Sequence, residues 1–182
     1  MRADLGLAPW DVFHQGVSQQ LGWSLGTVIV ATSFVVVVLW IPIRERPGIG
    51  TLANAVLVGI WVDISLWILP EVLSSLVLRF VVLAVGIVVN GVATGLYIGA
   101  RFGSGPRDGL MTGLAARGYS VRVVRTIIEA IVLISGFALG GSVGLGTVLF
   151  AVAIGPIAHQ AIPFFTGFTA AVHKESVMPS SA

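Results

Sequence analysis

The sequence predicts an all-helical membrane protein built from two inverted halves, and three observations carry that prediction. The first is composition: of 182 residues, 56% are hydrophobic and 10% are charged, whereas an ordinary soluble domain carries roughly 25% charged residues. The second is the recurrence of apolar runs of 17 or more residues. At a rise of about 1.5 Å per residue, a helix of about 20 apolar residues crosses a hydrocarbon core of about 30 Å. The third is a pair of matching sequence blocks separated by 97 and then 96 residues. Helix is the only spanning element that fits, because an isolated strand leaves its backbone unpaired in lipid. The alternating polarity of an outer-membrane barrel is also missing from these runs.

Five spans are predicted, over residues 24–43, 48–69, 80–99, 123–139 and 145–165. Two further stretches, 9–21 and 106–117, are too short and too polar to cross and read as re-entrant or interfacial helices. Five spans force successive loops onto alternate sides. Arg44, Arg46, Arg101, Arg107, Arg117, Arg122, Arg125 and Lys174 then share one side, and Arg2 and Arg79 the other. The positive-inside rule places the larger group in the cytoplasm, with the C-terminus inside and Met1 outside. The first twenty residues lack the basic start, apolar centre and small-residue cleavage site of a signal peptide and read as mature protein. Basic residues gathered in loops reflect topology and point away from nucleic acid.

The two short stretches open alike, as GLAPWDVFHQG at 6–16 and GSGPRDGLMTG at 103–113. Gly6, Pro9, Asp11 and Gly16 match Gly103, Pro106, Asp108 and Gly113. After a slip of one residue, Gly22, Trp23 and Ser24 match Gly118, Tyr119 and Ser120; GIGT at 48–51 matches GLGT at 144–147, and Gly59 matches Gly155. The charge-derived topology sets the halves in opposite orientations, a plan common among secondary transporters. The expected division is a first repeat over 1–70, a second over 71–166, and a cytoplasmic tail over 167–182. The second half opens with a span, 80–99, that has no counterpart in the first. Two explanations compete: a helix ahead of Met1, which would make six and is the favoured reading, or a genuine five-helix variant.

GLAPWDVFHQG, RPGIGTLANA at 46–55, GPRDGLMTGLAARGYSVRVVRTIIE at 105–129 and GGSVGLGTVLFAVAIGP at 140–156 resemble the YczE-type bacterial membrane proteins, often grouped with YitT and YyaS. The resemblance covers nearly the whole chain. It implies a polytopic protein of the bacterial cytoplasmic membrane and assigns no substrate or reaction. It also implies a helix ahead of the first G-L-x-P-x-D block.

Several polar residues are candidates for a solute or ion pathway. Asp11 and Asp108 each follow a proline by two positions, where a carboxylate faces the positive end of a helix dipole; they read either as helix starts or as a symmetry-related ion-binding pair. Asp63 and His159, 96 residues apart, are ionisable groups inside spans, costly there unless they face protein or water. Glu129 shares a helix face with Arg122 and Arg125, so an Arg125 to Glu129 pair is expected. A Glu129 to His159 contact would offer a protonation-linked step. Asn54 and Asn90 read first as helix-to-helix hydrogen bonds, and Gly91, Gly95 and Gly99 as a close-packing face. The G-x-G-T blocks lack the strand and lysine of a phosphate loop and read as tight helix starts. With no cysteine and only three histidines, at 14, 159 and 173, neither a metal, a cofactor nor an enzymatic site is indicated.

The expected function is a small secondary transporter or permease of unknown solute, embedded in the lipid bilayer, with homo-oligomer formation suited to so narrow a bundle. The competing expectation is a non-transporting accessory or assembly protein that works through helix contacts.

Overall fold

The computed structural model describes residues 2–69, 75–100 and 102–177, with side chains described as far as Thr166. Seven helices follow one another among the described residues: α1 (Pro9–Leu21), α2 (Leu25–Val38), α3 (Ile49–Ile68), α4 (Leu76–Gly99), α5 (Pro106–Ala115), α6 (Val121–Ala138) and α7 (Leu145–Val177). Three of them, α3, α4 and α7, are long and apolar enough to cross a membrane. The bent pair α1 and α2, at 114°, makes a fourth if it is counted as one broken span.

The expected short helices are both present, α1 over its expected range and α5 two residues shorter. Each has proline in its first turn and an acidic residue beside it, where the missing proline N–H costs nothing. α1 stops at Gly22, whose φ of 69° suits glycine, and Ser24 then caps α2 by accepting from Thr27 N.

The span expected over 24–43 is a shorter helix of 14 residues, about 21 Å at the α-helical rise. Residues 39–44 leave it through tight turns that bond Trp40 N to Val37 O and Arg44 N to Ile41 O. Pro42 has no N–H with which to continue a helix. The span expected over 123–139 is α6, 18 residues carrying Arg122, Arg125 and Glu129, too charged to match α3, α4 and α7. α7 continues as helix to Val177, through Pro156 and Pro163 and into the expected tail.

Packing follows the small residues. α4 and α7 form the most extensive helix pair. Gly91, Gly95 and Gly99 on α4 lie against Ile157, Ala161 and Phe165 on α7, and a β-carbon added at Gly95 would stand 2.6 Å from Ala161 Cβ. The expected small-residue face is thus a helix contact. α1 packs on α6 and α2 on α3, the latter through a close approach of Gly26 to Gly59.

The two G-x-G-T blocks do open helices, and each grips the loop ahead of the other half's short helix. Gly50 N donates to Phe102 O at 3.0 Å, and Gly146 N donates to Leu5 O at 2.5 Å. Within each block the threonine hydroxyl accepts from the first glycine, Gly48 N to Thr51 at 3.1 Å and Gly144 N to Thr147 at 3.2 Å. Both threonines are buried. Thr51 also donates to Ser104 O at 2.7 Å. Gly103 lies beside Thr51 and Gly6 beside Thr147; their φ values of +117° and +100° lie in the region that favours glycine.

The ends of the bundle differ in their basic residues. At one end Arg2 donates to Leu66 O, and Arg79 pairs with Asp4 at 3.5 Å. At the other, Arg117 donates to Gly113 O at 2.9 Å and reaches Pro42 O at 3.5 Å.

Candidate functional site

α1 and α5 begin next to each other. The Arg107 guanidinium stands 5.0 Å from the centre of the Trp10 ring, a cation held on an aromatic face. Asp11, one residue beyond Trp10, has an Oδ1 3.6 Å from His14 Nδ1. His14 is 1% exposed and sits beside the Trp10 and Phe13 rings. Neither its Nδ1 nor Trp10 Nε1 has a hydrogen-bond partner among the described residues, so two buried donors or acceptors stand ready at this junction.

Electrostatics set the charge states. Packing between helices pushes the Asp11 carboxyl up, but His14 and the Arg107 charge outweigh it and hold the group below its usual range. Burial pushes His14 down, against the pull of Asp11, and Arg107 adds to the depression. The imidazole is therefore neutral at pH 7.

Asp108 occupies the matching position in α5 with different surroundings. Its carboxylate accepts from the Tyr97 hydroxyl of α4. Burial raises it to about 6 in spite of the opposing charge of Arg125. Gly105 marks the place where three polar groups converge: a β-carbon there would lie 3.2 Å from Asp108 Oδ2, 3.5 Å from the Tyr97 hydroxyl and 3.6 Å from Asn54 Oδ1. The Trp40 indole, 1% exposed, donates to Pro106 O at 3.0 Å and fixes the start of α5.

Of these groups Asp11, Asn54 and Tyr97 line, together with Asn90 and mostly apolar residues, a groove of about 850 Å³ between α3 and α4. Trp61 and Ser65 of α3, and Leu69 just after it, also line it. They stand 96 residues before Ile157, Ala161 and Phe165, the residues with which α7 receives α4.

The remaining candidates lie elsewhere. Asp63 accepts from Ser24 Oγ at 2.6 Å and from Gly26 N at 2.7 Å, sealing the start of α2. A smaller groove of about 300 Å³ runs past it along Val30 and Ile60. Glu129 accepts from Arg125 Nε at 2.8 Å, the expected pair, and Arg122 is exposed. His159 is exposed on α7, and no ion pair joins it to Glu129 among the described residues. The expected Glu129 to His159 contact does not form, because α6 packs on α1 and α5 and leaves α7 to α4. His173, Lys174 and Arg101 carry sequence expectations that fall outside the described side chains.

Sequence reasoning missed Trp10, Arg107, Tyr97 and Trp40 as members of the site. The repeat held a usable signal for the first two: they occupy equivalent positions, 97 residues apart. Tyr97 and Trp40 gave none, since an aromatic residue near a span end is ordinary.

The family model of a family of unknown function, DUF6198, matches residues 1–163. An uncharacterized protein of Haemophilus influenzae (strain ATCC 51907 / DSM 11121 / KW20 / Rd) is 41% identical over 156 residues, 84% of this chain and 70% of the relative. The uncharacterized membrane protein YczE of Bacillus subtilis (strain 168) is 35% identical over 161 residues, 87% of this chain and 74% of the relative. The uncharacterized protein YyaS of the same organism is 28% identical over 169 residues, covering 90% and 83%. No solved structure matches. The resemblance read from the motifs is borne out: the chain belongs to the DUF6198 family, and YczE and YyaS are among its relatives.

Proposed function

We propose that the chain is a small secondary transporter or permease of the bacterial cytoplasmic membrane, and that its solute pathway passes the junction where α1 and α5 begin. The observation that carries this reading is the contact between Trp10 and Arg107. These residues are counterparts in the two matching blocks. Equivalent residues of an inverted repeat can touch only near the axis that relates the halves, and in transporters built this way the solute site lies near that axis at the repeat interface. The crossed bonds Gly50 to Phe102 and Gly146 to Leu5 support the same repeat. Charge is also concentrated where such a site needs it, with Asp11, Arg107 and Asp108 around one polar junction and two helix N-termini directed to it.

On this reading five spans are arranged in two inverted halves, with the C-terminus cytoplasmic and Met1 outside. α2 and α6 cross, and the short helices α1 and α5 are re-entrant or interfacial. Homo-oligomers of so slender a bundle are expected. The test is uptake and counterflow in proteoliposomes with a panel of amino acids, cations, sugars and weak acids, comparing wild type with Asp11→Asn and Arg107→Gln. A saturable wild-type flux that falls in both variants supports the pathway. Flux indifferent to both places the pathway elsewhere, and the absence of any wild-type flux removes the transport reading.

One observation favours the accessory reading. The face formed by Trp61 and Ser65 of α3, and by Leu69 just after it, stands open to the groove, although its counterpart on α7 holds a helix. A protein that holds a partner helix would present such a face. Bulky substitution at Ser65 that abolishes co-purification of a membrane partner, with the bundle intact, would support it.

A further inference from the structure

The polar junction has two carboxylates in equivalent positions but in unlike company. Asp11 shares its surroundings with a neutral imidazole and with Arg107, whereas Asp108 is tied to a neighbouring helix by a single phenol. α4 delivers Tyr97 to the Asp108 carboxylate. α6 brings Arg125, itself engaged with Glu129 at 2.8 Å. α3 contributes the uncharged Asn54 and Thr51, and the turn after α2 contributes Trp40, whose indole is spent on Pro106 O. On α5 itself Arg107 turns to the Trp10 face, where Asp11 and His14 of α1 are its neighbours. No cation among the described residues forms an ion pair with Asp108. Its hold on α4 is the Tyr97 hydrogen bond.

We propose that Asp108 is the proton carrier of this site and Tyr97 its latch: the ionised carboxylate holds the phenol and joins α5 to α4, and the protonated acid lets it go. The coupling of solute movement to that proton rests on the transport reading above; the latch itself does not. A phenol donating to a carboxylate makes a charge-assisted bond roughly twice as strong as one to a neutral acid. Protonation of Asp108 therefore weakens the α4 to α5 link at the point where Tyr97 and Asn54 line the groove. Burial places this change within reach of mild acid, since it raises Asp108 to about 6.

The absence of cysteine from the sequence makes a clean probe available. Ser104→Cys, in the loop between α4 and α5, reports on the latch through its rate of reaction with a membrane-impermeant maleimide. The rate is divided by that of an exposed reference cysteine at Arg122, after each rate is corrected for the thiolate fraction of its own thiol. The expected result in the full-length reconstituted protein is a rise of about fivefold between pH 7.5 and pH 5. Asp108→Asn and Tyr97→Phe should each give the fast rate at every pH. A flat wild-type profile overturns the latch, and so does a profile near pH 6 that survives either substitution. Tyr97→Phe decides the matter if Asp108→Asn does not fold.

Coupling is read separately, from the same solute panel with and without an inward proton gradient. Wild-type flux that is accelerated by the gradient, and Asp108→Asn flux that is not, support proton coupling. Gradient-independent wild-type flux overturns it. Absence of wild-type flux with an intact labelling profile removes the transport reading and leaves the latch standing.

Discussion

Asp63 gives the sharpest separation between a residue that transports and one that holds the fold. Its carboxylate receives Ser24 Oγ at 2.6 Å and Gly26 N at 2.7 Å, so Asp63→Ala leaves the first turn of α2 with two donors unmet. A hydrogen bond to a charged acceptor contributes about 1.5–3 kcal/mol in soluble proteins, but interhelical bonds in a membrane average about 0.6 kcal/mol. Two bonds at the membrane figure come to about 1.2 kcal/mol, or roughly an eightfold change in the folded-to-unfolded ratio. Asp63→Asn keeps an acceptor oxygen in place and should cost less than half as much. Reversible unfolding in mixed detergent, followed by far-UV circular dichroism, measures both. Equal stability of Asp63→Ala and wild type would refute the capping argument. If flux were abolished at the same time, Asp63 would return to the solute pathway.

Further outcomes follow from the packing and from the charges. Gly95→Val should split α4 from α7, because even its first side-chain carbon would stand 2.6 Å from Ala161 Cβ; loss of folded protein on size exclusion is expected, with Gly86→Val, which meets no neighbour, as the tolerated control. Thr51→Val should destabilise more than Thr147→Val, within about 1–3 kcal/mol each by the cost of unmet buried groups, because Thr51 also donates to Ser104 O; equal losses in detergent unfolding would mean that this second bond contributes nothing. The pH dependence of stability should contain two opposed contributions. The depressed His14 binds protons more readily unfolded, so it adds stability above 6.5 that is lost as the pH falls toward its folded value. Asp108, raised from 3.8 to about 6, stabilises most below 3.8 and loses that contribution as the pH rises to about 6. Asp108→Asn should remove the second and leave the first, and an unchanged profile between pH 4 and 6 would refute the assigned burial.

The helical class and the crossing lengths of α3, α4 and α7 were legible because they depend on apolar composition summed over many residues, which no tertiary contact reverses. The short helices were legible for a local reason: Pro9 and Pro106 fix a first turn, and Asp11 and Asp108 suit its dipole. α2 was read too long, since Trp40, Ile41 and Ile43 are apolar enough to extend a span while Pro42 and the turn around it end the helix. The site was harder. Asp63, singled out for its cost in lipid, turns out to cap a neighbouring helix, and a capping partner 39 residues away leaves no trace in local spacing. Glu129 and His159 were paired by depth alone, and depth says nothing of which helices touch.

What the repeat could have supplied is the location of the junction. A residue and its counterpart in an inverted pair are on average far apart, and they approach only at the axis. On the proposed inverted repeat, Trp10 and Arg107 are such a pair with unlike side chains, an aromatic face meeting a cation, so the side chains break the repeat where its halves meet. The same break runs one residue further along. Asp11, held ionised beside Arg107, stays charged across the physiological range, whereas Asp108, at about 6 and without that guanidinium, changes charge within reach of it. On the transport reading, two matching carboxylates with different protonation behaviour give the halves different roles, one as a fixed charge and the other as a titrating one.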